Sequence, residues 1–229
     1  MSENDPLARA HVYRSGGAGR PLLLLHGTGG DERDLIGLGQ TLSGDSALLS
    51  VRGTVQEGSL TRFFRRSAEG AFDEADLRRQ VEELARFVRA AVDRYSLDPA
   101  ELTIVGFSNG ANIGSALLAA HPELFAGAAL FAAMPPFADG FGDAGLGGRR
   151  VVVGNGERDL IATPQLTVVL IRQLRDVDAD VHLVPHPGGH QIDPRTFAAV
   201  RQLLRLNDRS VAPAIPVNGA ASTLDRSRP

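Results

Sequence analysis

Residues 102–120 constrain the fold more than any other stretch of this chain. An apolar run, Leu102 to Val105, passes directly into Gly106-Phe107-Ser108-Asn109-Gly110, and a small-residue helical pattern follows at once, with Ala111, Gly114, Ser115 and Ala116. The pentapeptide fits a sharp turn between a strand and a helix, with the serine raised on a strained backbone. Glycines flank it because any side chain there would strike the neighbouring backbone. Alone, the pattern also fits a simple tight turn. The strand before it and the helix after it give it meaning, and small residues let that helix lie close against a sheet.

The rest of the chain repeats the theme. Further short apolar runs, each bounded by Gly, Pro or Asp, are expected as strands at His11–Arg14, Pro21–Leu25, Ala47–Val51, Gly127–Phe131, Arg150–Val153 and Asp180–Val184. Their alternation with helical patterns predicts an α/β fold, a mainly parallel central sheet with helices on both faces. The clearest helix starts at Asp73, a good N-cap, and ends near Tyr95. Leu77, Val81, Leu84, Val88, Val92 and Tyr95 recur at spacings of three and four, forming one core-facing stripe, while Arg78, Glu82, Arg86 and Arg89 form the solvated face. Later helices are expected over Asn109–Ala120, Pro164–Val177 and Pro194–Leu206. Residues 1–208 read as one domain. Residues 209–229, where Pro, Ala, Ser and Asn lose periodicity, read as a disordered tail.

Composition removes whole classes of chemistry. The chain has no Cys, which excludes thiol catalysis, disulfides and cysteine-ligated zinc, and its 24 basic residues are all Arg. Without Lys there is no Walker lysine, no kinase strand lysine and no Schiff base. A net charge of −3 gives no electrostatic reason to expect nucleic acid or an anionic membrane as partner. The run Leu22–Leu25 is too short to span a bilayer, and the first residues lack the apolar core of a secretory signal. The expectation is a soluble cytoplasmic protein.

A serine hydroxyl needs a base, and the base needs an orienting carboxylate. In a parallel sheet these groups belong at the C-terminal ends of strands. Arg150–Val153 runs into Gly154-Asn155-Gly156-Glu157-Arg158-Asp159, and Asp180–Val184 runs into Pro187-Gly188-Gly189-His190. Ser108, Asp159 and His190 are therefore the candidate nucleophile, acid and base. Glu157 is the rival acid, and Asp193, beside Pro194, is expected to cap the next helix. His182, His186 and His190 are spaced by four, but the intervening Pro and Gly residues forbid the helix a metal face would need, so no metal is expected. His121 is expected at the surface, and His11 has no evident partner.

A second loop, His26-Gly27-Thr28-Gly29-Gly30-Asp31-Glu32, leaves the strand Pro21–Leu25. Its backbone can turn N–H groups toward a reacting oxygen, with Thr28 giving one donor of an oxyanion hole and Asn109 the other. Each such donor is worth about 3 kcal/mol in the transition state. A phosphate cradle is the competing reading, opposed by the missing lysine and glycine spacing. His26 is expected to be a structural hydrogen-bonder. Residues 52–72 hold Phe63, Phe64 and the cluster Arg62, Arg65, Arg66. The phenylalanines either wall a substrate pocket or cover the sheet edge, and the arginines are expected as solvated surface. Gly29, Phe63, Phe64, Met134 and Ile161 are the candidate substrate contacts.

The stretches HGTGGDERDL from His26, RFFRRSAEGAFDEADL from Arg62, GFSNGANI from Gly106 and HPGGHQI from His186 resemble the small carboxylesterase/phospholipase family of α/β-hydrolases, related to acyl-protein thioesterases. The resemblance is greatest to a branch of esterases associated with hydroquinone dioxygenases, and it covers most of the chain. It implies the α/β-hydrolase fold without a large lid domain, no cofactor, a small-molecule ester substrate with a short or medium acyl group, a homodimer, and the same triad and oxyanion residues. Two departures stand out: Val51 occupies a position where the branch usually has proline, and Phe131-Ala132-Ala133-Met134 lacks the arginine the branch tends to carry. The expected function is carboxylic ester hydrolysis. The alternatives are a thioesterase or lysophospholipase using the same residues, a non-catalytic binding protein, and lyase or perhydrolase chemistry on the same scaffold.

Overall fold

The computed structural model describes residues 5–68 and 71–206. The stretch 209–229, expected as a tail, lies outside them. In chain order the elements begin with strands β1 (His11–Arg14) and β2 (Gly19–Leu25), helix α1 (Ile36–Leu42) and strand β3 (Ser46–Val51). Two small hairpins follow, β4 (Val55–Glu57) with β5 (Leu60–Arg62) and β6 (Arg66–Ala68) with β7 (Ala71–Phe72). Helix α2 (Glu74–Tyr95), strand β8 (Thr103–Phe107), helix α3 (Asn109–Ala120) and strands β9 (Gly127–Phe131) and β10 (Arg150–Gly154) come next. Helix α4 (Pro164–Asp176), strand β11 (Asp180–Leu183) and helix α5 (Phe197–Leu204) complete the fold.

Seven strands form one sheet in the order β1-β3-β2-β8-β9-β10-β11. All neighbours are parallel except β1, which runs antiparallel to β3 at the edge. Parallel sheets are covered on both faces, so their inner strands read as unbroken apolar runs, and Leu22 to Leu25 are wholly buried. Leu23 and Leu25 face a core shared with α2, α3 and α4, whereas Leu22 and Leu24 face one shared with α1 and α5. After β3 the chain crosses back to lay β8 beside β2. The switch in strand order therefore falls between β2 and β8, where open α/β sheets leave a crevice at their C-terminal ends.

The α2 stripe packs as its spacing dictates, with Leu77, Val81, Leu84 and Val88 buried, and the Asp73 carboxylate accepts the Asp76 N–H as N-cap. Helix α3 is buried along nearly its whole length. A Cβ on Gly110 would lie 2.1 Å from the Leu25 carbonyl oxygen, so only glycine lets the helix start pass beneath β2.

The two hairpins within residues 52–72 and helix α1 were not anticipated, and two expectations need correction. His11 does have partners: its ring bonds the Arg9 carbonyl (2.7 Å) and the Tyr95 hydroxyl (2.7 Å). His121 is not free surface, being half-buried and bonded to Glu82 (3.0 Å) and Arg89 (3.0 Å). Among the described residues, no helix is long and apolar enough to cross a membrane.

Candidate active site

Ser108 stands between the end of β8 and the start of α3 with φ 51° and ψ −114°, a backbone conformation that L-residues avoid. It is held there because its N–H donates to the Phe131 carbonyl of the adjacent strand at 2.9 Å. Its hydroxyl lies 2.9 Å from His190 Nε2, and His190 Nδ1 lies 2.8 Å from an Asp159 carboxylate oxygen. Asp159 is 1% exposed, and its other oxygen accepts the N–H groups of Ile161 (2.8 Å) and Ala162 (2.9 Å). An ionised carboxylate only accepts, so Nδ1 carries the hydrogen and Nε2 is left to accept from the serine hydroxyl. The rival acid, Glu157, is exposed and outside this chain of bonds.

The acid and histidine loops support each other. A parallel bridge between Gly156 and His186 prolongs the pairing of β10 with β11, and the N–H groups of Glu157 and Arg158 donate to the carbonyls of His186 (2.8 Å) and Gly188 (3.0 Å). Buried Asn155 ties the acid loop to β9 through the Ala133 N–H (2.9 Å) and carbonyl (2.8 Å). Asp193 caps the following turn by accepting the Arg195 N–H at 2.9 Å. The Arg195 guanidinium holds its carboxyl far below the usual range. His186 accepts the Gly188 N–H on Nδ1 at 3.2 Å, while His182 pairs with Asp180, so the evenly spaced histidines occupy separate surroundings.

The loop after β2 arrives from the other flank of β8. Among the described residues, no acceptor takes the Thr28 N–H, and the Asn109 N–H, first in α3, has no acceptor within its helix. The loop is fixed from a distance. The Gly29 N–H donates to the Thr61 carbonyl (2.8 Å), the Gly53 N–H to His26 Nε2 (2.9 Å), and the Phe63 N–H to Asn109 Oδ1 (2.7 Å). Burial lowers the His26 pKa, which suits a ring that must keep Nε2 unprotonated, and its Nδ1 bonds the Gly27 carbonyl at 2.6 Å. Glu32 joins Arg52 (3.0 Å), whose guanidinium holds that carboxyl below its ordinary value.

The expected substrate contacts divide. Gly29 (φ 83°) and Ile161 are exposed and Met134 is half-buried, but Phe63 and Phe64 are 0% exposed and belong to the core. Neither phenylalanine presents surface to a ligand, which corrects the pocket-wall reading; Phe63 lies against His26 instead, with ring centroids 4.7 Å apart. Arg62, expected as solvated surface, is buried, while Arg65 and Arg66 are exposed. The sequence reading missed Leu60 beside Gly29, Leu160 next to Asp159 and the Asn155 tie; only the Gly154-Asn155-Gly156 turn was visible in advance.

A serine hydroxyl bonded to an imidazole that a buried carboxylate orients can lose its proton as it attacks a carbonyl. No family model matches the chain. MhqD of Bacillus subtilis (strain 168), which bears the name of a hydrolase, is 40% identical over 192 residues, 84% of this chain and 96% of that protein. This chain belongs to the small carboxylesterase/phospholipase family of α/β-hydrolases. Among solved structures, the Bacillus cereus carboxylesterase matches with a TM-score of 0.81 at 36% identity, over 86% of this chain and 93% of that one. A Mesorhizobium loti carboxylesterase matches with a TM-score of 0.82 at 29% identity, over 90% and 97%. Among the described residues this α/β-hydrolase has no large lid; between β3 and α2 stand only the two small hairpins.

Proposed function

We propose that this α/β-hydrolase is a serine-dependent carboxylesterase acting through an acyl-enzyme. Ser108 Oγ attacks the ester carbonyl carbon as its proton passes to His190 Nε2, and Asp159 holds the resulting imidazolium. The tetrahedral oxyanion accepts the Thr28 and Asn109 N–H groups, which lack protein acceptors for that purpose. Collapse expels the alcohol, protonated by His190, and water repeats the sequence on the acyl-serine. The observation that carries this reading is the unbroken chain of bonds, 2.9 Å from Ser108 to His190 and 2.8 Å from His190 to Asp159. Carboxylesterases among the similar structures support it independently.

The rim favours an apolar acyl group of short to medium length. Leu60, on β5 beside Gly29, and Leu160 and Ile161, on the acid loop, are exposed large apolar side chains. The deciding experiment is labelling with a fluorophosphonate, followed by a chain-length series of p-nitrophenyl esters and one matched thioester. Labelling confined to Ser108 and absent in Ser108→Ala, with an optimum among the oxygen esters, is the expected result. Ester hydrolysis retained by Ser108→Ala overturns the mechanism.

A further inference from the structure

Residues Thr61 to Phe64 form a clamp on both loops that carry the unsatisfied N–H groups. The Thr61 carbonyl takes the Gly29 N–H, the Phe63 N–H binds Asn109 Oδ1, and between them Arg62 Nη1 donates to Thr28 Oγ1 at 2.7 Å. Arg62 is 4% exposed, and its Nε donates to the Phe64 carbonyl at 3.1 Å. Removing such a charge from water is costly unless it is paired and hydrogen-bonded, as the Arg62 guanidinium is to Glu57, Phe64 and Thr28.

The chemistry of the Arg62–Thr28 contact is one-directional. A guanidinium has no acceptor, so Thr28 Oγ1 must accept and its own hydrogen must point elsewhere. Among the described residues nothing accepts that hydrogen, and Thr28 is solvent-exposed on the loop after β2. The charge nearby is positive. Among the described residues, Glu57 is the carboxylate paired with Arg62, at 3.2 Å, and it is shared with Arg66 at 3.0 Å. One anion for two cations leaves an excess on Arg62, where little water screens it.

We infer that the Thr28 hydroxyl is a third hydrogen-bond donor to the reacting oxygen, polarised and aimed by Arg62 acting as a positioning residue. The inference rests on the esterase reading and deepens it: one residue supplies both a backbone and a side-chain donor. A hydroxyl that already accepts from a cation is the stronger donor through its own hydrogen. Because charge develops on the carbonyl oxygen only at the transition state, the gain appears in kcat rather than KM.

The test begins with wild-type protein shown to label at Ser108 and to hydrolyse a p-nitrophenyl ester. Thr28→Val keeps the shape and removes the hydroxyl; kcat is expected to fall by about 100-fold with KM nearly constant. Thr28→Ser restores the donor and is expected to recover most of that loss, which a packing defect would not allow. Arg62→Gln is expected to lower kcat in Thr28 protein but to add little in the Thr28→Val background, since it acts through the hydroxyl. A Thr28→Val protein that turns over like wild type, or fully additive losses, overturns the inference while esterase activity stands. Wild-type protein that neither labels nor hydrolyses removes the underlying reading and the inference with it.

Discussion

The two loop systems that meet at Ser108 are held in place by different means. The acid and histidine loops brace one another through backbone bonds, continuing the register in which β10 and β11 already pair. The loop after β2 relies on a side chain of its own, His26, and on residues 53 to 62, which lie far along the sequence. Geometry written in backbone pairing tolerates side-chain change around it. Geometry written in side chains fails when one of them is lost.

The contrast can be broken first at the acid. In Asp159→Asn the two backbone donors still have an acceptor, but an amide now faces His190 and favours the wrong tautomer. We expect kcat to fall by about 10⁴-fold with thermal stability little altered, checked by steady-state kinetics beside a melting curve. The next largest effect lies behind the other loop. Phe63→Ala empties a wholly buried site beside His26 and is expected to cost about 3–5 kcal/mol in stability, read from denaturant unfolding. A small stability change with altered substrate preference would return Phe63 to the pocket wall.

A pH experiment probes the same loop more gently. Burial lowers the His26 pKa below its ordinary 6.5, so the native state keeps the ring neutral while the unfolded chain takes up a proton. Stability should therefore decline as pH falls from 6.5 toward the lower native pKa and be fully present above 6.5. Replacing His26 with Gln should flatten that part of the curve in urea titrations at stepped pH. The smallest effect belongs to Glu157, exposed in the acid loop: Glu157→Gln is expected to change the activation free energy by under about 0.5 kcal/mol. A large loss there would mean that Glu157, not Asp159, orients the base.

The same division explains what the sequence made legible. Buried parallel strands announce themselves as apolar runs, and the loops that leave the ends of two of them point to Asp159 and His190, whose side chains the fold brings to 2.8 Å. Helix α1 stayed hidden because Gly37 and Gly39 weaken its helical signal; Gly39 is there for packing, since a Cβ would lie 2.9 Å from Leu48. Tyr95, a partner of His11, and Glu82, a partner of His121, lie 84 and 39 positions away, which no local pattern encodes. Arg62 looked like its exposed neighbours Arg65 and Arg66 because burial is a property of the folded hairpin, not of the triplet. For the same reason the sequence leaves Phe63 and Phe64 open between a pocket wall and a cover on the sheet edge, and neither reading anticipates their place in the core.

The bridge between Gly156 and His186 has a consequence for how such a chain is made. Strand β11 lies at the sheet's edge and is the last strand of the described chain, and His190 follows it by only a few residues. A nascent chain synthesised through α4 already carries the complete Ser108 turn and Asp159, yet lacks His190, the base of the proposed mechanism. Hydrolysis should therefore switch on only when the final edge strand docks, so that the onset of turnover times the closing step of folding and a truncated product remains chemically silent.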